Sequence, residues 1–264
     1  MVASDAEIPA GTGYGTLIEA RGFRRIEEVQ PSRHRLALDL PPGEPEATTF
    51  AGFSETTRQL IRQGEKAGLR VVRWDRRLAA GAFGDGFEVA PAGADPTIAF
   101  ERLYALLEAA AARRHFGLGS LAGFVAWSLA GLEAGMTILL EVRTADDELL
   151  GAATFYRHGG RLTYSHSGDR ADLRRTYPGV ARLLLWRAIQ LAAREALLEV
   201  DLAGVDVRGA RRQPATGEEM RGLYEFKRSF GARWIELTGN HERVARPWRY
   251  GLGRISGKLL GFRR

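Results

Sequence analysis

The chain has 264 residues, 45% hydrophobic and 27% charged, an ordinary globular composition with room for one large domain or two modest ones. It has no cysteine, which excludes disulfides and thiolate metal sites and suits a reducing cytosol. A net charge of +6 favours a polyanionic partner such as RNA, a nucleotide phosphate or an anionic membrane surface, although a GC-rich genome would raise arginine content to the same effect.

The N-terminal MVASDAEIPAG carries acids and lacks the basic-then-apolar order of a signal peptide. In chain order, TLIEARGF (16–23) has the pattern of a helix end, and SRHRLALDL (32–40) that of a strand with no neighbour in sequence to pair with. SETTRQLIRQGEKA (54–67) predicts a helix capped by Ser54 and ended near Gly68, and LRVVRW (69–74) a strand. AGAFGDGFEVAPAGADP is a glycine-rich connection with too little periodicity for an element. Residues 97–114 place Phe100, Leu103, Leu106 and Leu107 at helical spacing, and Ser120 opens a second helix through Ala130.

The apolar run LAGFVAWSLAGLEAGMTILL contains Glu133 and several glycines, and divides better into a helix and a strand than into a membrane span. TILLEVR, LLGAATFYRHG and RLTYSHSGD follow as three strands joined by short polar turns, the pattern of an antiparallel meander. Pro178 sits in the first turn of a long helix, VARLLLWRAIQLAAREA, and LLEVDLAGV is a buried strand. A helix over 218–229 and the strand RWIELTG close the globular part. The last segment, HERVARPWRYGLGRISGKLLGFRR, sets seven Arg or Lys against one Glu.

Residues 69–238 therefore run strand, helix, helix, three strands, helix, strand, helix, strand. That order resembles the Gcn5-related N-acyltransferase fold, an α/β (α+β) mixed sheet flanked by helices, and the segment before it resembles the end of a partial second copy. The division this implies is a first-domain remnant with a linker helix (1–67), a complete acyltransferase-like domain (68–240) and a basic tail (241–264) free to pack back on the first. Several motifs carry a narrower resemblance: GFRRIEEVQPSRHRLALDL, ETTRQLIRQGEKAGLRV, YSHSGD, LLEVDLAGV and, most specific, GLYEFKRSFGARWIELTG. In this order they resemble the FemAB/FemX family of peptidoglycan interpeptide-bridge aminoacyltransferases, whose members carry two tandem acyltransferase-type domains. The family's longer N-terminal region is missing, which implies a truncated first domain and makes Met1 a candidate internal start.

The resemblance implies transfer of an amino acid from aminoacyl-tRNA to an amine of a stem peptide. The acceptor would be UDP-MurNAc-pentapeptide or a lipid-linked peptidoglycan precursor. Such a reaction needs alignment of ester and amine and a fixed cation for the oxyanion, with no cofactor and no metal. By the resemblance Lys227 is that cation, and Phe226, with Tyr224 and Arg228 beside it, would form the donor pocket. From spacing alone, Phe226 and Phe230 are core and Lys227 a solvated flank. Arg114, Tyr164 and Tyr177 stand at element ends and are candidates for the acceptor's pyrophosphate, equally readable as surface residues. Arg58, Arg62 and Lys66 form one basic helix face that RNA phosphates could contact, although a solvated face is the commoner outcome. The basic tail suits tRNA or the inner face of the membrane.

An acyl-CoA-dependent N-acyltransferase is the alternative within the fold. Its pyrophosphate loop needs backbone amides at a helix start, but RRTYPGVARLL offers Pro178, which has no N–H, and a Gly179 out of register. An inactive RNA- or partner-binding remnant is the non-enzymatic alternative. His158 and His166 on neighbouring strands lack further metal-ligand spacing, and GTGYGT follows no strand. No G-x-S-x-G occurs. Oligomeric state stays open, with self-association through the unpaired strand one expectation.

Overall fold

The structure is a computed structural model that describes residues 2–4, 7–26, 33–77, 86–91, 93–114, 116–205 and 212–246. Most of the basic tail lies outside the described residues. Along the chain come β1 (Val2–Ser4), α1 (Tyr14–Glu19), β2 (Arg24–Arg25), β3 (His34–Asp39), α2 (Glu46–Ala51) and α3 (Glu55–Lys66). Next are β4 (Arg70–Trp74), β5 (Glu88–Val89), α4 (Pro96–Arg114), α5 (Leu121–Glu133), β6 (Thr137–Arg143), β7 (Leu149–His158) and β8 (Arg161–Asp169). A short 3-10 turn (Ala171–Leu173) leads to α6 (Val180–Arg194), β9 (Glu199–Asp201), α7 (Arg221–Arg228), β10 (Arg233–Glu236) and β11 (His241–Arg243). Among the described residues no helix is long and apolar enough to cross a membrane.

Local chemistry explains the long elements. Ser54 and Ser120 accept hydrogen bonds from the backbone N–H of Thr57 and Gly123, capping α3 and α5. Pro178 lies one residue ahead of Gly179, the N-cap of α6, and so precedes the first turn predicted to contain it. The elements missed from sequence are short: α2 buries no residue, and β1, β2, β5 and β11 have two or three residues each.

The chain clusters into two units, and β3 and β10 each contribute residues to both. One unit (1–35, 204–224 and 234–264) contains a three-stranded antiparallel sheet in the order β1-β11-β2. Its interior includes His34, whose ring stacks on Trp234 with centroids 3.7 Å apart and whose Nε2 accepts the Val205 N–H at 3.0 Å.

The other unit (36–203 and 225–233) is built on a mixed sheet. The full strand order is β10-β3-β9-β8-β7-β6-β4-β5. The pairs β3–β9, β4–β6, β6–β7 and β7–β8 are antiparallel, and β8–β9 and β4–β5 parallel. The predicted meander is thus β6-β7-β8. Phe100, Leu103 and Leu107 of α4 with Val125 and Leu132 of α5 pack on Val72, Trp74, Leu139 and Ala152 to form a dry core. The expectation of an unpaired strand at 32–40 is corrected: β3 lies between β10 and β9, with Ala37 opposite Asp201. The pairing satisfies its backbone through partners some 160 to 200 residues away, which no local pattern encodes.

Two glycines permit close contacts that set this layer spacing. A Cβ at Gly168 would come within 2.5 Å of Leu106 Cβ, so β8 can approach α4 only without one. A Cβ at Gly179 would lie 2.2 Å from the Leu60 carbonyl oxygen, where α6 starts against α3. Because backbone cannot rotate away, Gly179→Ala is expected to destabilise by about 1–3 kcal/mol. Urea unfolding followed by far-UV circular dichroism would show a lower midpoint, and an unchanged midpoint would mean that the two helices slide apart freely.

Candidate active site

Lys227 is 4% exposed, not a solvated flank. It sits in the last turn of α7, where the carbonyl ends of the helix attract a cation. Its Nζ donates to the carbonyl oxygen of Ala203 at 3.3 Å. That carbonyl also accepts the Leu36 N–H at 3.2 Å, so β3 holds the oxygen from one side and Lys227 approaches from another. Ala203 follows β9 with φ +59, a left-handed conformation that costs a non-glycine residue roughly 1–2 kcal/mol. The Asp201 carboxylate braces it by accepting the Ala203 N–H at 2.8 Å. Backbone strain held by a carboxylate and a strand, at the C-terminal end of a strand, is the kind of arrangement that functional sites retain.

Phe226 is half-buried, edge-on to Phe230 at 5.5 Å. Over its other surroundings stands a residue that sequence reasoning missed, Arg182 of α6, with its guanidinium carbon 5.4 Å from the ring centroid. Arg182 donates to Thr57 Oγ1 at 3.2 Å, and burial pushes its guanidinium below the ordinary value, with no carboxylate among the described residues offsetting it. An Arg within RLLLW reads as an exposed helix position, and nothing in the sequence marks it. Only the packing of α6 beside α7 does. Tyr224 is buried in the first unit, its hydroxyl donating to Gln213 and its ring edge-on to Trp234. Arg228 is exposed.

The acceptor candidates divide. Tyr164 lies at a bulge where Ser165 and His166 of β8 face the single Thr154 of β7, a device that re-aims side chains. Its hydroxyl pairs with Ser167. Burial and the nearby Asp169 charge raise the phenol's pKa, opposed by the Ser167 hydrogen bond and by the positive charge of Arg114. The structure therefore brings Arg114 and Tyr164 within electrostatic reach. Tyr177 is half-buried ahead of α6, its N–H bonded to the Leu173 carbonyl. At the same bulge burial lowers the His166 imidazole pKa, leaving it neutral near pH 7, with Ser165 at 2.9 Å from Nδ1. His158, opposite Arg161, is not brought to it.

The basic face of α3 is partly structural. Arg58 donates to the carbonyls of Ala51 and Phe53, closing the end of α2. Arg62 lies 5.4 Å over the Phe50 ring and Lys66 is exposed.

No protein-family model matches the chain. No curated protein matches it in sequence. Solved structures do. The crystal structure of FemX superposes with a TM-score of 0.72 at 15% identity, over 95% of this chain and 73% of that one. The fold is that of FemX. Two further structures superpose on this chain more distantly than FemX does. The C-terminal domain of a protein described as a lysylphosphatidylglycerol synthetase, from Agrobacterium fabrum, gives a TM-score of 0.55 at 16% identity, over 94% and 70% of the two chains. A conserved protein of unknown function from Bacteroides thetaiotaomicron gives 0.53 at 10% identity, over 88% and 68%. At these identities the likeness is one of fold.

Proposed function

We propose that the protein is an acyltransferase of the FemX type, passing an aminoacyl group from aminoacyl-tRNA to an amine of a peptidoglycan-precursor stem peptide. The observation that carries this reading is the FemX fold over 95% of the chain, with a buried lysine at the residue the motif singles out. The ester of aminoacyl-tRNA is already activated, so the reaction draws on no cofactor. The neutral amine attacks the ester carbonyl, the oxyanion forms beside the Lys227 ammonium, and collapse expels the ribose oxygen, which leaves with the amine's proton. The group needed is a preorganised cation at the developing charge. Phe226 would give the terminal adenosine a flat apolar wall, and Arg182 would meet its phosphate. Tyr164 and Arg114 would take the acceptor, with Tyr177 a further candidate.

The packing of Gly179 against Leu60 supports the tRNA donor over acyl-CoA, since the glycine at the start of α6 has a packing reason in place of a phosphate-binding one. The test offers labelled aminoacyl-tRNA and labelled acetyl-CoA separately, each with UDP-MurNAc-pentapeptide. Transfer from the tRNA alone supports the proposal. Transfer from the CoA ester replaces it. For Arg182→Ala, loss of one charged phosphate contact is expected to raise KM for aminoacyl-tRNA about tenfold and flatten its salt dependence, with kcat little changed. A fall in kcat alone would place Arg182 outside the donor site.

A further inference from the structure

An apolar helix on a protein surface needs a reason, since a surface helix normally turns charge to water. The sequence of α5, LAGFVAWSLAGLE, has no charged residue before Glu133, and only Val125, Ser128 and Leu132 are buried. Its outward positions are Ala122, Ala126, Trp127 and Ala130. Trp127 is 69% exposed even though its indole N–H donates to the Tyr156 hydroxyl at 3.2 Å. Leu121 at 41%, with Phe116 at 44% and Met136 at 42% just beyond the two ends, extends the same exposed apolar run. Thirteen residues reach about 20 Å, too short to span a bilayer and of the length of a segment that lies in its interface.

The charges around α5 indicate what covers it. Arg113 and Arg114 end α4 immediately before the connection to α5, and both are exposed. At the other end, Arg76 pairs with Glu133 at 3.4 Å, which neutralises the helix's one acid, and exposed Arg77 lies beside Gly135. The apolar strip is thus bracketed by guanidinium groups. A second copy packed on this face, parallel or antiparallel, would set arginine against arginine at both ends. An anionic lipid surface would meet those arginines with phosphate and accept the apolar strip between them, with tryptophan at the depth it favours.

We propose that α5 lies flat on an anionic bilayer, with Trp127 and Leu121 in the interfacial layer and Arg113 and Arg77 on headgroup phosphates. This goes beyond the transfer reaction and is read without either of its substrates. The full chain is floated with vesicles of phosphatidylcholine alone and of phosphatidylcholine with phosphatidylglycerol at about 7:3, near 0.1 M salt. The wild type is expected to float with the anionic vesicles at least about tenfold better than with the neutral ones. Trp127→Glu and Ala126→Glu, both at exposed positions, are expected to lose most of that binding while keeping transfer to a soluble acceptor. Brominated lipid should quench wild-type tryptophan emission, and that quenching should disappear in Trp127→Phe.

Three outcomes would overturn the proposal. One is a wild type indifferent to phosphatidylglycerol. Another is binding unchanged in Trp127→Glu, which would move it to basic residues elsewhere. The third is a dimer in sedimentation that Trp127→Glu disperses without any vesicle binding, which would give the face to a second copy.

Discussion

Lys227→Ala is expected to lower kcat for the proposed aminoacyl transfer by a factor on the order of 10²–10³, the usual effect of removing one preorganised oxyanion donor. The expected KM for either substrate moves little, because in the proposed role the lysine acts on charge that exists only in the tetrahedral intermediate. The substitution leaves the Ala203 carbonyl with its second donor, the Leu36 N–H, so that oxygen is not orphaned. Truncating a buried stem still opens a cavity. Lys227→Met fills most of that volume and removes only the charge. If Met and Ala lose activity together while Met keeps the wild-type melting temperature, the charge is the active element. Should Met keep full activity, Lys227 serves packing and the proposed role fails.

Arg157→Met is expected to destabilise the protein by about 3–5 kcal/mol, lowering Tm on the order of 10 °C. Arg157 donates to Glu195 from Nε at 2.5 Å and to Asp75 from Nη1 at 2.9 Å. Arg73 joins the same two carboxylates, with Nε 3.0 Å from Asp75 and Nη2 3.0 Å from Glu195. The side chains of Arg73, Asp75 and Arg157 are nearly inaccessible and that of Glu195 is 13% exposed. Among the described residues two guanidinium groups and two carboxylates balance; removing Arg157 leaves Asp75 and Glu195 with one of the two arginines they share. Calorimetry of the variant against the wild type measures the loss, and an unshifted Tm would mean that water reaches and screens the cluster.

Acid titrates the same cluster. Burial by itself would raise the Asp75 carboxyl, but hydrogen bonds from Arg157 and the Arg77 N–H, with the Arg157 charge, bring it below its ordinary value. A carboxyl depressed in the folded state adds stability that is complete above the unfolded value, near 3.9, and is lost as pH falls through the folded value. Calorimetry at falling pH should therefore show a smaller acid-dependent loss in Asp75→Asn than in the wild type, since Glu46 and other depressed carboxyls still titrate in both.

Local signals were enough for the longer elements. Ser54 and Ser120 announced α3 and α5 because a cap is a contact within four residues, and the short polar turns between apolar runs marked β6, β7 and β8. The short elements carry too few residues for a period to show, and α2 buries none of its own. The motif residues around Lys227 were legible only as a resemblance; spacing alone favoured two core phenylalanines and a solvated lysine. What reversed that is tertiary. Pairing of β3 with the end of β9 holds the Ala203 carbonyl, and the lysine is buried against it. Arg182 is beside Phe226 for the same reason, two helices meeting across more than forty residues of chain. Composition, charge, caps and periodicity are properties of neighbours in sequence; they were enough to order the helices and strands, and the mixed α/β fold came from the resemblance of that order to a known one. Burial, strain and the company a side chain keeps depend on contacts between distant segments, and those exist only once the chain has folded.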